Sequence, residues 1–116
     1  MGFLARMFGP AAATRISATD YKARFIDGKE AHTLVDVRSP AEFASGYIPG
    51  AINVDVQELA QKMARIPRTK PVVLYCRSGS RSGHAAHMLK DAGYSDIYDL
   101  GAVGGWAATG GVLKKK

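Results

Sequence analysis

Apolar and polar positions fall along this chain in blocks that switch between the strand period and the helix period. Thr33-Leu34-Val35-Asp36-Val37 and Val72-Val73-Leu74-Tyr75-Cys76 are short, nearly unbroken apolar runs rich in β-branched residues. That is the pattern of strands covered on both faces of a parallel sheet. Asp96-Ile97-Tyr98-Asp99-Leu100 and Ala51-Ile52-Asn53-Val54 predict two more strands, and Arg15-Ile16 a short edge strand. Between these runs apolar residues recur at helical spacing. Ser17 or Thr19 caps a helix with Tyr21, Phe25 and Ile26 on its apolar face, which runs to about Asp27 and stops at Gly28. Ser39, Pro40 and Glu42 make a capping-box start to a short helix that Gly46 ends. Asp55 caps a helix with Leu59, Met63 and Ile66 on one face, ended by Pro67. Gly83 to Ala92 is a further helix, and a short terminal helix follows the glycine-rich turn Gly101 to Trp106. Strands alternating with helices at this spacing predict an α/β fold, a central parallel five-stranded sheet with helices on both faces.

Such sheets bind ligands beyond the C-terminal ends of their strands. Two predicted strand ends carry chemistry: Asp36 to Arg38, and Cys76, the only cysteine in the chain. A lone cysteine is ordinarily an apolar filler. This one leaves a strand, enters a loop from Arg77 to Ser82, and is followed by a helix. The loop amides would wrap around one point and the helix would turn its positive end there, a nest for an anion or a thiolate. A thiol so placed loses its proton more easily, and the thiolate is the nucleophile. Ser80 or Ser82 would also serve to cap the helix.

Composition narrows the picture further. At 116 residues, 47% hydrophobic and 22% charged, the chain reads as one soluble domain with a real core. We divide it into a leader over residues 1–14, flexible or a peripheral helix with Phe3, Leu4, Met7 and Phe8 at helical spacing, a domain over 15–113, and a basic tail over 114–116. The formal net charge is +6. Lys114, Lys115 and Lys116 supply half of it in a solvated run, so no nucleic-acid partner is implied. Arg77 and Arg81 flank the cysteine, where positive charge suits an anionic substrate. No stretch reaches the ~18 apolar residues of a membrane span. Arg6, Gly9 and Pro10 interrupt the N-terminal apolar run and argue against a secretory signal, and a lone thiol suits a reducing compartment; both point to the cytoplasm. His84 and His87 lie one helical turn apart, but no third ligand has a recognisable spacing, so no metal is expected.

Asp36-Val37-Arg38, Glu42-Phe43, Gly46 to Asn53, Tyr75-Cys76-Arg77-Ser78-Gly79-Ser80-Arg81-Ser82, and Leu100-Gly101 with Trp106 together resemble the rhodanese family of single-domain sulfurtransferases. The resemblance runs from about Arg15 to Val112. It departs from the family at Tyr47, where a histidine usually precedes Ile-Pro-Gly. It implies that Cys76 carries a persulfide taken from thiosulfate or a similar small anionic donor, with sulfite leaving. Cyanide, a thiol or a protein acceptor then removes the sulfur, and no cofactor is needed. The amides of Arg77, Ser78, Gly79, Ser80 and Arg81 would form the cradle, and the side chains of Arg77 and Arg81 would attract the donor. Supporting roles fall to Asp36, as a hydrogen-bond partner of the active turn, to an Arg38–Glu42 ion pair, and to Trp106 as packing beside the site. A homodimer is left open.

Two other functions compete. A phosphatase or arsenate reductase of related fold separates its cysteine and arginine by five residues; here only four, Arg77 to Ser80, lie between Cys76 and Arg81. A non-catalytic binding module normally goes with loss of the cysteine, which is present.

Overall fold

A computed structural model describes residues 12–116. Five parallel strands form one sheet in the order β1-β5-β4-β2-β3: β1 (Thr14–Arg15), β2 (Thr33–Asp36), β3 (Ile52–Asn53), β4 (Val72–Cys76) and β5 (Ile97–Ala102). The β-branched run of β4 explains its central place, because every one of its residues is buried. Alternate side chains of β4 serve two cores. Val72, Leu74 and Cys76 pack with Leu59, Ala85, Ala86 and Leu89 on one face. Val73 and Tyr75 pack with Tyr21, Phe25, Ile48 and Trp106 on the other. The α/β architecture with both faces covered is as expected.

Helix α1 (Ala18–Tyr21) starts at Ser17, whose hydroxyl accepts the Asp20 N–H at 3.0 Å, and continues as a π-helical stretch over Lys22–Asp27. Helix α2 (Pro40–Ser45) has the expected capping box. The expected helix after Asp55 is broken into a 3-10 turn (Val56–Glu58), a single turn α3 (Leu59–Lys62) and another 3-10 turn (Met63–Arg65). It still buries Leu59 and Ile66. Helix α4 (Ser80–Asp91) and the short α5 (Val103–Ala108) complete the fold.

Three boundaries differ from expectation, each for a local reason. α4 begins at Ser80 rather than Gly83, because Gly79 takes a left-handed conformation (φ 100°) and turns the chain directly into the helix. β5 runs on through Gly101-Ala102, past an irregularity opposite Leu74 and Tyr75 that lets it follow β4 to its end. The edge strand starts at Thr14, inside the expected leader, with Ala12 and Ala13 packed against the core before it; residues 1–11 lie outside the described residues. The basic tail keeps its side chains exposed, but its backbone is pinned. Lys114 and Tyr47 exchange two hydrogen bonds of 2.8 Å, and the Lys116 N–H reaches the Ala44 carbonyl at 3.0 Å. No helix among the described residues is long and apolar enough to cross a membrane.

The turn at Ile48 hangs on the centre of the sheet. Its buried N–H donates to the Tyr75 hydroxyl oxygen at 3.0 Å, a bond between residues 27 positions apart. Removing that acceptor leaves a buried donor unmet, so Tyr75→Phe is expected to destabilise the fold by about 1–3 kcal/mol. Urea unfolding at neutral pH measures this.

Candidate active site

Cys76 is the last residue of β4, and α4 begins four residues later, at Ser80. A turn this short folds back over the side chain it has just left. The Gly79 N–H donates to the Cys76 sulfur at 2.9 Å, and Sγ lies 3.6 Å from the Ser82 hydroxyl in the first turn of α4. The thiol is wholly buried beneath the turn. Burial alone would push its pKa up. Hydrogen bonds from the Ser82 hydroxyl and amide and from the Gly79 and Ser78 amides outweigh burial, and the thiol sits below its ordinary value.

The groups bonded to the sulfur here are the Ser78, Gly79 and Ser82 amides and the Ser82 hydroxyl. Ser80 and Arg81 belong to the helix, and neither Ser80 nor Ser82 caps it. The Ser82 hydroxyl donates backwards to the Gly79 carbonyl at 3.1 Å, a carbonyl that also accepts the Gly83 N–H. Ser82 is itself wholly buried. Sequence reasoning placed Ser82 at the end of the amide loop but gave its hydroxyl no role at the sulfur. Its signal was available: six positions after Cys76, it sits one helical turn after Gly79, over the sulfur. The hydroxyl has one proton. With the sulfur protonated, that proton serves the Gly79 carbonyl; with the sulfur ionised, it can turn to the sulfur while Gly83 keeps the carbonyl satisfied.

The charged residues pair otherwise than expected. Arg38 pairs with Asp36, not Glu42. Its Nη2 lies 2.6 Å from Asp36 Oδ2 and 2.6 Å from the Gly46 carbonyl, and its Nε and backbone N–H both donate to Asp36 Oδ1. A single intervening residue and a buried location make Asp36 the nearer partner. This occupies Asp36, which therefore bonds its own strand-end turn rather than the amides of the cysteine turn. The Asn53 amide reaches the Asp36 and Arg38 carbonyls from β3 and closes the same bracket.

Glu42 is left to Arg81. The two form a bidentate pair, with Nη1–Oε1 at 2.6 Å and Nη2–Oε2 at 2.9 Å, tying α2 to the first turn of α4. The Arg81 guanidinium, with help from the Ser39 N–H and hydroxyl, holds the Glu42 carboxyl down to about 2. Arg77 and Ser78 are exposed on the turn, and Arg77 makes no ion pair among the described residues. Trp106 is buried, but on the opposite face of the sheet from Sγ. It stands edge-on to Tyr21 and donates to the Val112 carbonyl at 2.8 Å, so it packs in the second core rather than beside the cysteine. His84 and His87 are both exposed, and no group of three metal-ligating side chains occurs among the described residues.

Comparison with known proteins agrees with this arrangement. Residues 17–109 match the profile of the Rhodanese-like domain. "Uncharacterized protein YqhL" of Bacillus subtilis is 41% identical over 102 residues, which cover 88% of this chain and 79% of that protein. A protein named "Sulfurtransferase" in Allochromatium vinosum is 42% identical over 78 residues, 66% of this chain and 73% of its own. The crystal structure of a rhodanese-related protein from Thermoplasma volcanium superposes with a TM-score of 0.77 at 29% identity, covering 89% of this chain and 99% of that one.

Two outcomes are expected of the site itself. Ser82→Ala removes a hydrogen bond to the thiolate and should raise the Cys76 pKa; the ultraviolet absorbance of the thiolate followed against pH reads the shift. Glu42 has a folded pKa near 2 against an ordinary 4.5, so its stabilisation is complete above about 4.5 and is lost as pH falls toward 2. Wild type should therefore be more stable than Glu42→Gln at pH 7, with the gap closing across that window in urea titrations.

Proposed function

The chain belongs to the rhodanese-like domain family, and from that premise we propose that it is a thiosulfate sulfurtransferase working through a persulfide on Cys76. Sulfur transfer as a general activity is supported by the family match and by a relative named sulfurtransferase. The finer reading rests on one observation: a thiol of lowered pKa that accepts a backbone N–H at 2.9 Å at the start of a helix.

In the first step the Cys76 thiolate attacks the outer sulfur of thiosulfate. The sulfur–sulfur bond of the donor breaks, its electron pair leaves with sulfite, and Cys76 holds the transferred sulfur. In the second step cyanide or a thiolate attacks that outer sulfur and the electron pair returns to Sγ. Atoms and electrons balance without an oxidant, reductant or cofactor. The amides of Ser78, Gly79 and Ser82 and the Ser82 hydroxyl stabilise the negative sulfur before and after transfer. Since Sγ has no exposed surface, a donor reaches it only when the turn from Arg77 to Gly79 gives way. Arg77, free of any ion pair among the described residues, is the cation we assign to attract the donor. Arg81 acts through Glu42 by fixing the start of α4 against α2. Because both Arg81 Nη atoms are committed to Glu42, the phosphatase alternative lacks the arginine it would need to clasp a phosphoryl group. A thiol that works this way must stay reduced, which favours the cytoplasm.

The test is a mass measurement. Protein mixed with thiosulfate and freed of excess should gain the mass of one sulfur, cyanide should remove it, and Cys76→Ser should gain nothing. An unchanged mass in wild type, or an equal gain in Cys76→Ser, would overturn the reading.

A further inference from the structure

At the edge of the sheet formed by β3 lies a groove of about 460 Å³. Phe43 and Tyr47 line it from the side of α2, Ile52 and Asn53 from β3, and Arg65 and Lys116 stand among its walls. No residue of the turn from Arg77 to Ser82 reaches it, and no Asp or Glu side chain lines it. Helix geometry accounts for the separation from the cysteine. Successive side chains on α2 point about 100° apart, so the Glu42 carboxylate meets Arg81 while the Phe43 ring turns to the groove.

The polar and aromatic groups of the groove are held in place. Phe43 and Tyr47 stack with ring centroids 4.2 Å apart and planes 15° from parallel. Two backbone hydrogen bonds of 2.8 Å with Lys114 fix Tyr47, which stays half-buried. The Asn53 Nδ2 donates to the Asp36 and Arg38 carbonyls at 3.0 and 2.9 Å, and its Oδ1 makes no hydrogen bond among the described residues. Arg65 is exposed and touches the groove wall through Nη1, 3.4 Å from the Asn53 carbonyl. Lys116 Nζ stands 5.6 Å from the centroid of the Phe43 ring, within the range of cation–π attraction. Its backbone N–H is tied to the Ala44 carbonyl, so the ammonium stays at this rim. Neither cation has a carboxylate partner among the described residues.

Each of these groups asks for a different part of one ligand. A groove of this size holds a small organic molecule. A fixed, half-exposed aromatic face suits a planar ring that stacks on it. An oriented amide oxygen suits an N–H on that ring. An uncommitted arginine and lysine suit a phosphate, the arginine through its fork and the lysine as a point charge. A bare inorganic anion would leave the aromatic floor unused, and a neutral ring would leave both cations unpaired. We propose that this groove binds a nucleoside monophosphate, with its base stacked on Tyr47 and its phosphate between Arg65 and Lys116. The site shares no residue with the cysteine turn and is independent of the chemistry of Cys76.

The experiment is isothermal titration of the full-length protein at low salt with AMP, adenosine and inorganic phosphate. AMP should bind at least about tenfold more tightly than either fragment, because only it meets both the ring and the cations. Tyr47→Leu keeps the backbone bridge and should weaken AMP by roughly fivefold or more. Arg65→Gln and Lys116→Gln should each weaken it by about threefold or more, and wild-type affinity should fall as salt rises. Arg65 is exposed, so Arg65→Gln carries the test even if Tyr47→Leu does not fold. Cys76→Ser and Arg77→Gln should bind AMP as wild type does. No saturation at millimolar AMP, binding that inorganic phosphate matches, or an affinity that all three groove variants leave intact overturns the proposal. Loss of binding in Cys76→Ser or Arg77→Gln also overturns it, by putting the nucleotide at the cysteine turn. A short oligonucleotide that binds much more tightly than AMP overturns it in favour of nucleic acid.

Discussion

A sulfur atom buried at the end of the central strand can become an anion only if the chain itself supplies its hydrogen bonds. The rest of the structure follows from that constraint. β4 is apolar along its whole length and is covered on both faces, so water cannot stabilise charge at its last residue. Solvation must come from the turn that follows, and that turn has three residues before α4 begins. Gly79 meets the geometric demand by its left-handed backbone, which aims its N–H at Sγ and starts the helix in one residue. The first turn of α4 then brings Ser82 over the same atom.

A turn so tightly drawn needs fixed supports, and the charged residues divide that work between two pairs. Asp36 and Arg38 are nearly inaccessible to solvent and form a self-contained bracket at the end of β2. It reaches Gly46 on one side, is closed by Asn53 on the other, and lies against the Tyr75 ring. A buried ion pair is tolerable only when nearly all of its hydrogen-bonding capacity is used, and this one comes close to that limit. Glu42 and Arg81 form the second, more exposed pair and lock α2 to the helix that carries Ser82. The capping box gives Glu42 two tasks at once, since the carboxylate that starts α2 also anchors α4.

The strand ends are thus organised by division of labour. Cations near the cysteine are not equivalent: Arg38 and Arg81 are committed to carboxylates, whereas Arg77 has no such partner among the described residues. Two faces of the sheet are also kept apart. Sγ belongs to the core beneath α3 and α4, and Trp106 to the core beneath α1 and α5. The C-terminal segment is a further support, because Lys114 adds a backbone bridge to Tyr47, which stacks on Phe43 of α2 at 4.2 Å. That stacking shows what tyrosine does in the place where a histidine is usual.

Much of this was legible in the sequence because it depends on neighbours in the chain. β-branched runs set the strands, Ser17 and Ser39 set their helices, and the strand–cysteine–glycine order placed a thiol at a helix start. What the sequence left undecided was the choice among partners of equal chemistry. Arg38 and Glu42 stand four residues apart and look like a pair. The packed sheet brings Asp36 within reach of one, and Arg81, 39 positions away, within reach of the other. The faces were hidden for the same reason: alternation says that Tyr75 and Cys76 point apart, but only the assembled layers decide that Trp106 goes with the tyrosine. Local propensity acts over a few residues, whereas which charge meets which, and which core each buried side chain joins, is set by where the sheet puts segments distant in sequence.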